Sequence, residues 1–120
     1  MDKVIKVLDF SEYPGPRYIS QGLDSGELFY EEVLKDSFNE AVEKKIDIVV
    51  DLDYTAGYSP SFIDEVFGNL VYDFDWIEIE NRLKIKSDQE PDWNQVILEK
   101  VFPQWRKKKN EGHPRKPNDL

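Results

Sequence analysis

At 120 residues, 39% hydrophobic and 13% aromatic, the chain has enough apolar material for one well-filled core and too little length for two. Its formal net charge of −9 argues against a phosphate backbone as partner, because nucleic-acid affinity comes chiefly from cations that neutralise phosphates. The lack of cysteine excludes disulfides, thiolate metal sites and cysteine nucleophiles, and the single histidine, His113, excludes a Ser-His-Asp arrangement in the body of the chain.

Val4 to Phe10 is β-branched and apolar and predicts a first strand. Ser11-Glu12-Tyr13-Pro14-Gly15-Pro16 is a turn signal, after which Arg17-Tyr18-Ile19-Ser20 is expected to return as a short antiparallel partner. A helix follows from about Glu27 to Lys45, with Asp24 or Ser25 as its cap. Leu28, Phe29, Val33, Leu34, Phe38, Ala41 and Val42 recur there at three- and four-residue steps. Ile46 to Leu52 is a nearly continuous apolar run, expected to be a central parallel strand buried on both faces.

Ser59 and Pro60 then read as cap and first residue of a helix reaching about Tyr72. Phe62, Val66 and Leu70, widened by Phe67 and Val71, form its apolar stripe, and Asp64, Glu65 and Asn69 are expected to face outward. Asp73 to Glu80 reads as irregular, Leu83-Lys84-Ile85-Lys86 as a half-buried strand, and Pro91 as the start of a third helix. That helix carries Trp93, Val96, Ile97 and Val101 on one face and ends near Pro103 to Trp105.

The expected order is therefore β-β-α-β-α-β-α over residues 1–105, a single α/β domain with about four strands in a mixed sheet packed by about three helices. Residues 1–99 carry 9 Lys and Arg against 23 Asp and Glu, whereas residues 100–120 carry 7 against 2. Residues 106–120 are expected to be a basic, flexible tail that folds back on the acidic body; nucleic-acid binding by its 106–116 segment is the less favoured reading. No apolar run approaches the roughly 18 to 20 residues needed to cross a bilayer, and no basic-then-apolar leader is visible, so a cytosolic protein is expected.

The chemistry-bearing stretch is the junction from Asp51 to Glu65. A helix start presents unpaired N–H groups and partial positive charge, and hydroxyls collect there at Thr55, Ser59 and Ser61. Asp51-Leu52-Asp53-Tyr54-Thr55 has the spelling of the Asp-x-Asp-x-Thr signature of haloacid-dehalogenase-type phosphotransferases, in which the first Asp attacks phosphorus and magnesium bridges carboxylate and phosphate. Its setting differs, since a hairpin and a helix precede it and no later acidic pair completes a metal site. Strand-end acids commonly bond loop N–H groups, which is the plainer reading of Asp51 and Asp53. No catalytic residue, metal or cofactor is expected.

Asp9-Phe10-Ser11, Pro14-Gly15-Pro16-Arg17-Tyr18, Gly22, Ser25-Gly26-Glu27-x-Phe29, Asp51-Leu52-Asp53, Gly57-Tyr58 and the run from Ser61 to Leu70 together resemble the bacterial and phage STAS-like domain of unknown function over roughly residues 4–100. The resemblance implies a fold similar to the STAS domains of anti-sigma-factor antagonists. In those, a strand, a short loop and a helix start bind the partner, a histidine-kinase-like ATPase that phosphorylates a serine there. The matching serine is Ser61, with Ser59 as runner-up, although Ser59-Pro60-Ser61-Phe62 replaces the antagonists' Asp-Ser-Ser-Gly. The implied partner face comprises Arg17, Asp53, Thr55, Gly57, Tyr58, Ser59, Ser61 and Glu65. Arg17 is expected to pair with Asp53 or Glu27, or to offer an anion-binding guanidinium.

Two rival readings place the function elsewhere. One is an acidic, phage-type mimic of nucleic acid, favoured if Glu31, Glu32, Glu40, Asp73, Asp75, Glu78 and Glu80 cluster on one surface. The other is the magnesium-dependent phosphotransferase using Asp51 and Asp53, which requires both carboxylates to converge in a solvent-reachable pocket.

Overall fold

A computed structural model describes residues 2–115. Three strands, β1 (Lys3–Lys6), β2 (Ile48–Asp51) and β3 (Leu83–Lys86), pair in parallel in the order β1-β2-β3, with Ile5, Val50 and Ile85 in register. The expected fourth strand is not formed. Residues 17–20 instead lead into a 3₁₀ turn at Ile19–Gln21. Pro14 and Pro16 supply no N–H to a ladder. The carbonyls of Pro16 and Arg17 are spent on the Gly26 and Glu27 N–H groups, at 2.9 and 3.0 Å. The first strand is also shorter than expected, because the chain turns into a single helical turn, α1 (Val7–Phe10).

Helix α2 (26–44) is capped by Ser25, whose Oγ accepts from the Leu28 N–H at 3.1 Å, and it contains a π turn at Tyr30–Leu34. Helix α3 (Pro60–Asp73) begins as expected, with Ser59 as cap and proline in its first turn. The stretch read as irregular holds helix α4 (Trp76–Arg82), which carries two i,i+4 contacts, Trp76 to Glu80 and Arg82 to Glu78. Helix α5 (92–110) is interrupted by a π turn at Ile97–Val101 and runs past residue 105, with Lys109 Nζ donating to the carbonyls of Val71 and Phe74.

Strand order explains the layering. Parallel crossovers are right-handed, so two connections that advance in the same direction place α2 and α3 on one face of the sheet. Ile5, Ile48 and Val50 are buried against that helical layer, whereas on the opposite face Val4 is 56% exposed and Val49 half-buried. The expectation that β2 is buried on both faces is corrected accordingly: one face is open, and the apolar run reflects the short strand's inward row together with its flanks.

Helix α3 is the centre of the helical layer, with nine of its residues buried. Small residues let its neighbours approach. A Cβ on Gly26 would lie 2.6 Å from the Phe62 carbonyl oxygen, and one on Gly68 would lie 2.0 Å from the Trp105 ring. Enclosure from both sides overturns the outward placement of Glu65 and Asn69, which are 1% and 2% exposed. A helix enclosed by neighbours buries most of its circumference, polar residues included.

Candidate functional site

The junction after β2 is held by its own backbone and by carboxylates. Asp51 Oδ1 accepts the Asp53 N–H at 2.9 Å, closing a short turn. Asp53 is buried, with Oδ2 2.8 Å from Lys86 Nζ and Oδ1 accepting the Gln89 N–H at 2.9 Å. Burial works to raise the Asp53 pKa, but the Gln89 N–H and the Lys86 ammonium outweigh it and hold the carboxyl below its ordinary range. Strand-end acid and β3–α5 loop are thus tied together, as the plainer reading of these aspartates anticipated.

The next residues cross the open end of the sheet. Thr55 Oγ accepts the Gly57 N–H at 3.3 Å, and Gly57 has φ 125°, which L side chains rarely adopt. Tyr58 donates its hydroxyl to the Leu52 carbonyl at 2.7 Å and packs edge-on to Trp93; burial pushes its phenol up to about 12, so it remains a donor.

The two serines then part in role. Ser59 Oγ accepts the Phe62 N–H at 3.1 Å and donates to the Gly15 carbonyl, so its hydroxyl is fully engaged as helix cap and loop tether. Ser61, two residues on, is half-buried, and its hydroxyl makes no hydrogen bond among the described residues. It lines an open cleft of about 430 Å³ with Gly15, Pro16, Arg17, Tyr18, Gln21 and Ser59.

Arg17 pairs with neither Asp53 nor Glu27. Its guanidinium lies 2.7 Å from Asp64 Oδ2 and 3.4 Å from Glu65 Oε1, on the first turns of α3. Partial burial opposes its charge, but Asp64 and then Glu65 more than compensate and raise its pKa. Asp64 also accepts from Trp105 Nε1 at 2.9 Å, so one carboxylate joins the loop before α2 to α3 and α5. The second oxygen of Glu65 accepts from Asn69 Nδ2 at 2.7 Å; burial raises its pKa, with Asn69 and Arg17 pulling back.

The residues expected to form one face therefore divide. Ser59, Ser61 and Arg17 share the cleft, with Glu65 buried beneath the arginine, while Asp53, Thr55, Gly57 and Tyr58 bind the loops around the strand end. Reading the sequence missed Asp64 as the main partner of Arg17, and missed Gly15 and Gln21 as cleft walls. The Pro-Gly-Pro-Arg spelling was the available signal, since it fixes a rigid loop that ends on a cation.

One family model, described as a STAS-like domain of unknown function, matches residues 25–93, more than half of the chain. The chain belongs to this family. The match runs from the Ser25 cap of α2 to the first turn of α5, so it takes in the Ser59 to Glu65 helix start of the STAS-like domain and leaves β1 and the Arg17 loop outside. No curated protein and no solved structure matches the chain.

The geometry also bears on the rival readings. Both Asp53 oxygens are occupied, and no group of three or more potential metal ligands occurs among the described residues. The acidic residues lie on three helices and most have local partners: Glu31 with Lys35, Glu40 with Lys3 and Lys44, Asp73 with Tyr30 and Arg115, and Glu78 with Arg82. Lys35 lies 3.7 Å from Glu31 and 3.9 Å from Asp73, so these two acids share a cation and the set is partly neutralised.

Proposed function

We propose that this STAS-like domain is a non-enzymatic regulatory module that binds a protein partner over the strand-loop-helix junction 53–65 and the facing loop at Arg17, and that phosphorylation of Ser61 switches the contact. The partner class implied by the resemblance to anti-sigma-factor antagonists is a histidine-kinase-like ATPase. One observation carries the choice of serine. The Ser59 hydroxyl is consumed by the Phe62 N–H and the Gly15 carbonyl, whereas Ser61 is uncommitted and shares an open cleft with Arg17.

The chemistry supports a switch at this point. A phosphate adds about −1.5 to −2 charges and is tolerated at the N-terminal end of a helix, where free N–H groups and the dipole favour it. It would simultaneously change the charge presented to a partner. Phosphopeptide mapping of the chain purified from its native host tests the assignment. Phosphate on Ser61 is the expected result; phosphate on Ser59 alone, or on neither serine, refutes it.

A further inference from the structure

We infer that the free edge of β3, with the apolar groove beside it, takes an extended strand from a partner protein whose side chains alternate between apolar and acidic. This goes beyond the junction site and does not depend on it. β3 is the last strand of the sheet, paired with β2 alone. The Lys86 carbonyl faces β2, accepting the Leu52 N–H at 2.8 Å. Along a parallel strand the direction alternates, so the Ile85 N–H and the Leu83 and Ile85 carbonyls face away from the sheet. The Leu83 N–H is taken by the Ile79 carbonyl. The other three groups have no hydrogen bond among the described residues. They are the template that strand addition uses.

Side-chain pattern follows from the same alternation. An added strand would direct every second residue inward beside Leu83 and Ile85, over a groove of about 410 Å³ walled by Trp76, Ile79, Leu98 and Phe102. Leu98 is 58% exposed at its rim, and Ile77 on α4 is 57% exposed. The intervening residues would lie on the open face beside Lys84, and beside Lys86, which already pairs with Asp53 and Asp88. Lys84 has no ion pair among the described residues, although the chain carries a net charge of −9.

Charge decides the occupant. A second copy joined edge to edge about a two-fold axis through Lys84 would set that unpaired lysine opposite its mate's, and like charges directly opposed destabilise a sheet. An alternating apolar and acidic strand replaces that repulsion with cross-strand pairs while filling the groove.

The test uses the full chain and a short fluorescein-labelled peptide of alternating valine and glutamate, read by fluorescence anisotropy. Controls are the same residues arranged in two blocks and an alternating valine-lysine peptide. The alternating acidic peptide is expected to bind saturably and to slow hydrogen exchange at the Ile85 amide. Leu98→Asp is expected to weaken it by about tenfold or more, as loss of an apolar anchor does. Lys84→Glu is expected to reverse the preference toward the valine-lysine peptide, a gain that a misfolded variant could not show. Absence of saturable binding, equal binding of the block peptide, or a dimer that dissociates with Leu98→Asp would overturn the proposal, the last by showing a second copy at the edge.

Discussion

Glu65 and Asn69 lie one turn apart on α3, both buried, and the Asn69 amide donates to the Glu65 carboxylate and to its backbone carbonyl at 2.7 and 2.9 Å. Among the described residues, Asn69 Oδ1 has no hydrogen-bond partner. Burial raises the Glu65 pKa against the pull of Asn69 and Arg17, and a protonated Glu65 could donate to the Asn69 oxygen where the carboxylate cannot. Because the folded-state pKa lies above the ordinary 4.5, the stability linked to Glu65 is fully present below that value and is lost as pH rises through the folded-state pKa.

Glu65→Gln supplies the missing N–H and keeps an oxygen for Arg17. It is expected to be more stable than wild type by about 1 kcal/mol at pH 8 and to show a weaker loss of stability on going from about pH 5 to pH 8. Urea denaturation at the two pH values checks this, and a steeper loss in the variant would contradict it.

Asp53 has the opposite sign. Its pKa is held below the ordinary 3.8, so its contribution is present above that value and disappears as pH falls through the folded-state pKa. Asp53→Asn is expected to cost about 1.5–3 kcal/mol near neutral pH, the range for a hydrogen bond to a charged group, and to converge on wild type in acid. Acid titrations followed by circular dichroism give the comparison.

The two serines separate by stability as well as by modification. Ser59→Ala removes a cap and the Gly15 tether and is expected to cost about 1 kcal/mol, within the usual range for caps. Ser61→Ala is expected to stay within about 0.5 kcal/mol of wild type, as for a residue without partners. Equal losses in denaturant titrations would show that Ser61 has a structural role.

Gly68→Ala forces a methyl into the Trp105 ring, which also bonds Asp64. Overpacking of this kind costs about 1–3 kcal/mol. A red shift of tryptophan emission should accompany the loss, as α5 is pushed away from α3.

Much of the fold was legible because periodicity reports burial. The apolar steps of α2, the Ser59-Pro60 start of α3 and the runs behind β2 and β3 all sit where that pattern put them. Arg17 to Ser20 misled because the two prolines before them, Pro14 and Pro16, supply no N–H to a ladder, and the loop's carbonyls went to α2 instead. Helix α4 was hidden by an acidic-aromatic composition whose order comes from local pairs such as Arg82 with Glu78. Glu65 and Asn69 looked solvent-facing for a deeper reason: their burial depends on α2 and α5 closing on α3 from both sides, with Arg17, 48 residues from Glu65 in sequence, arriving over Glu65. The location of the candidate site was readable from its hydroxyls and turn residues, but the division of labour between Ser59 and Ser61 depends on the Gly15 carbonyl, which only the folded chain brings near.

Affinity capture from the native host, with wild type, Ser61→Ala and Ser61→Asp compared by quantitative mass spectrometry, tests the regulatory reading most directly. A protein partner retained by wild type and Ser61→Ala and lost with Ser61→Asp is the expected result. The same proteins bound by all three, or a partner retained by Ser61→Asp at wild-type level, would contradict a switch at the start of α3.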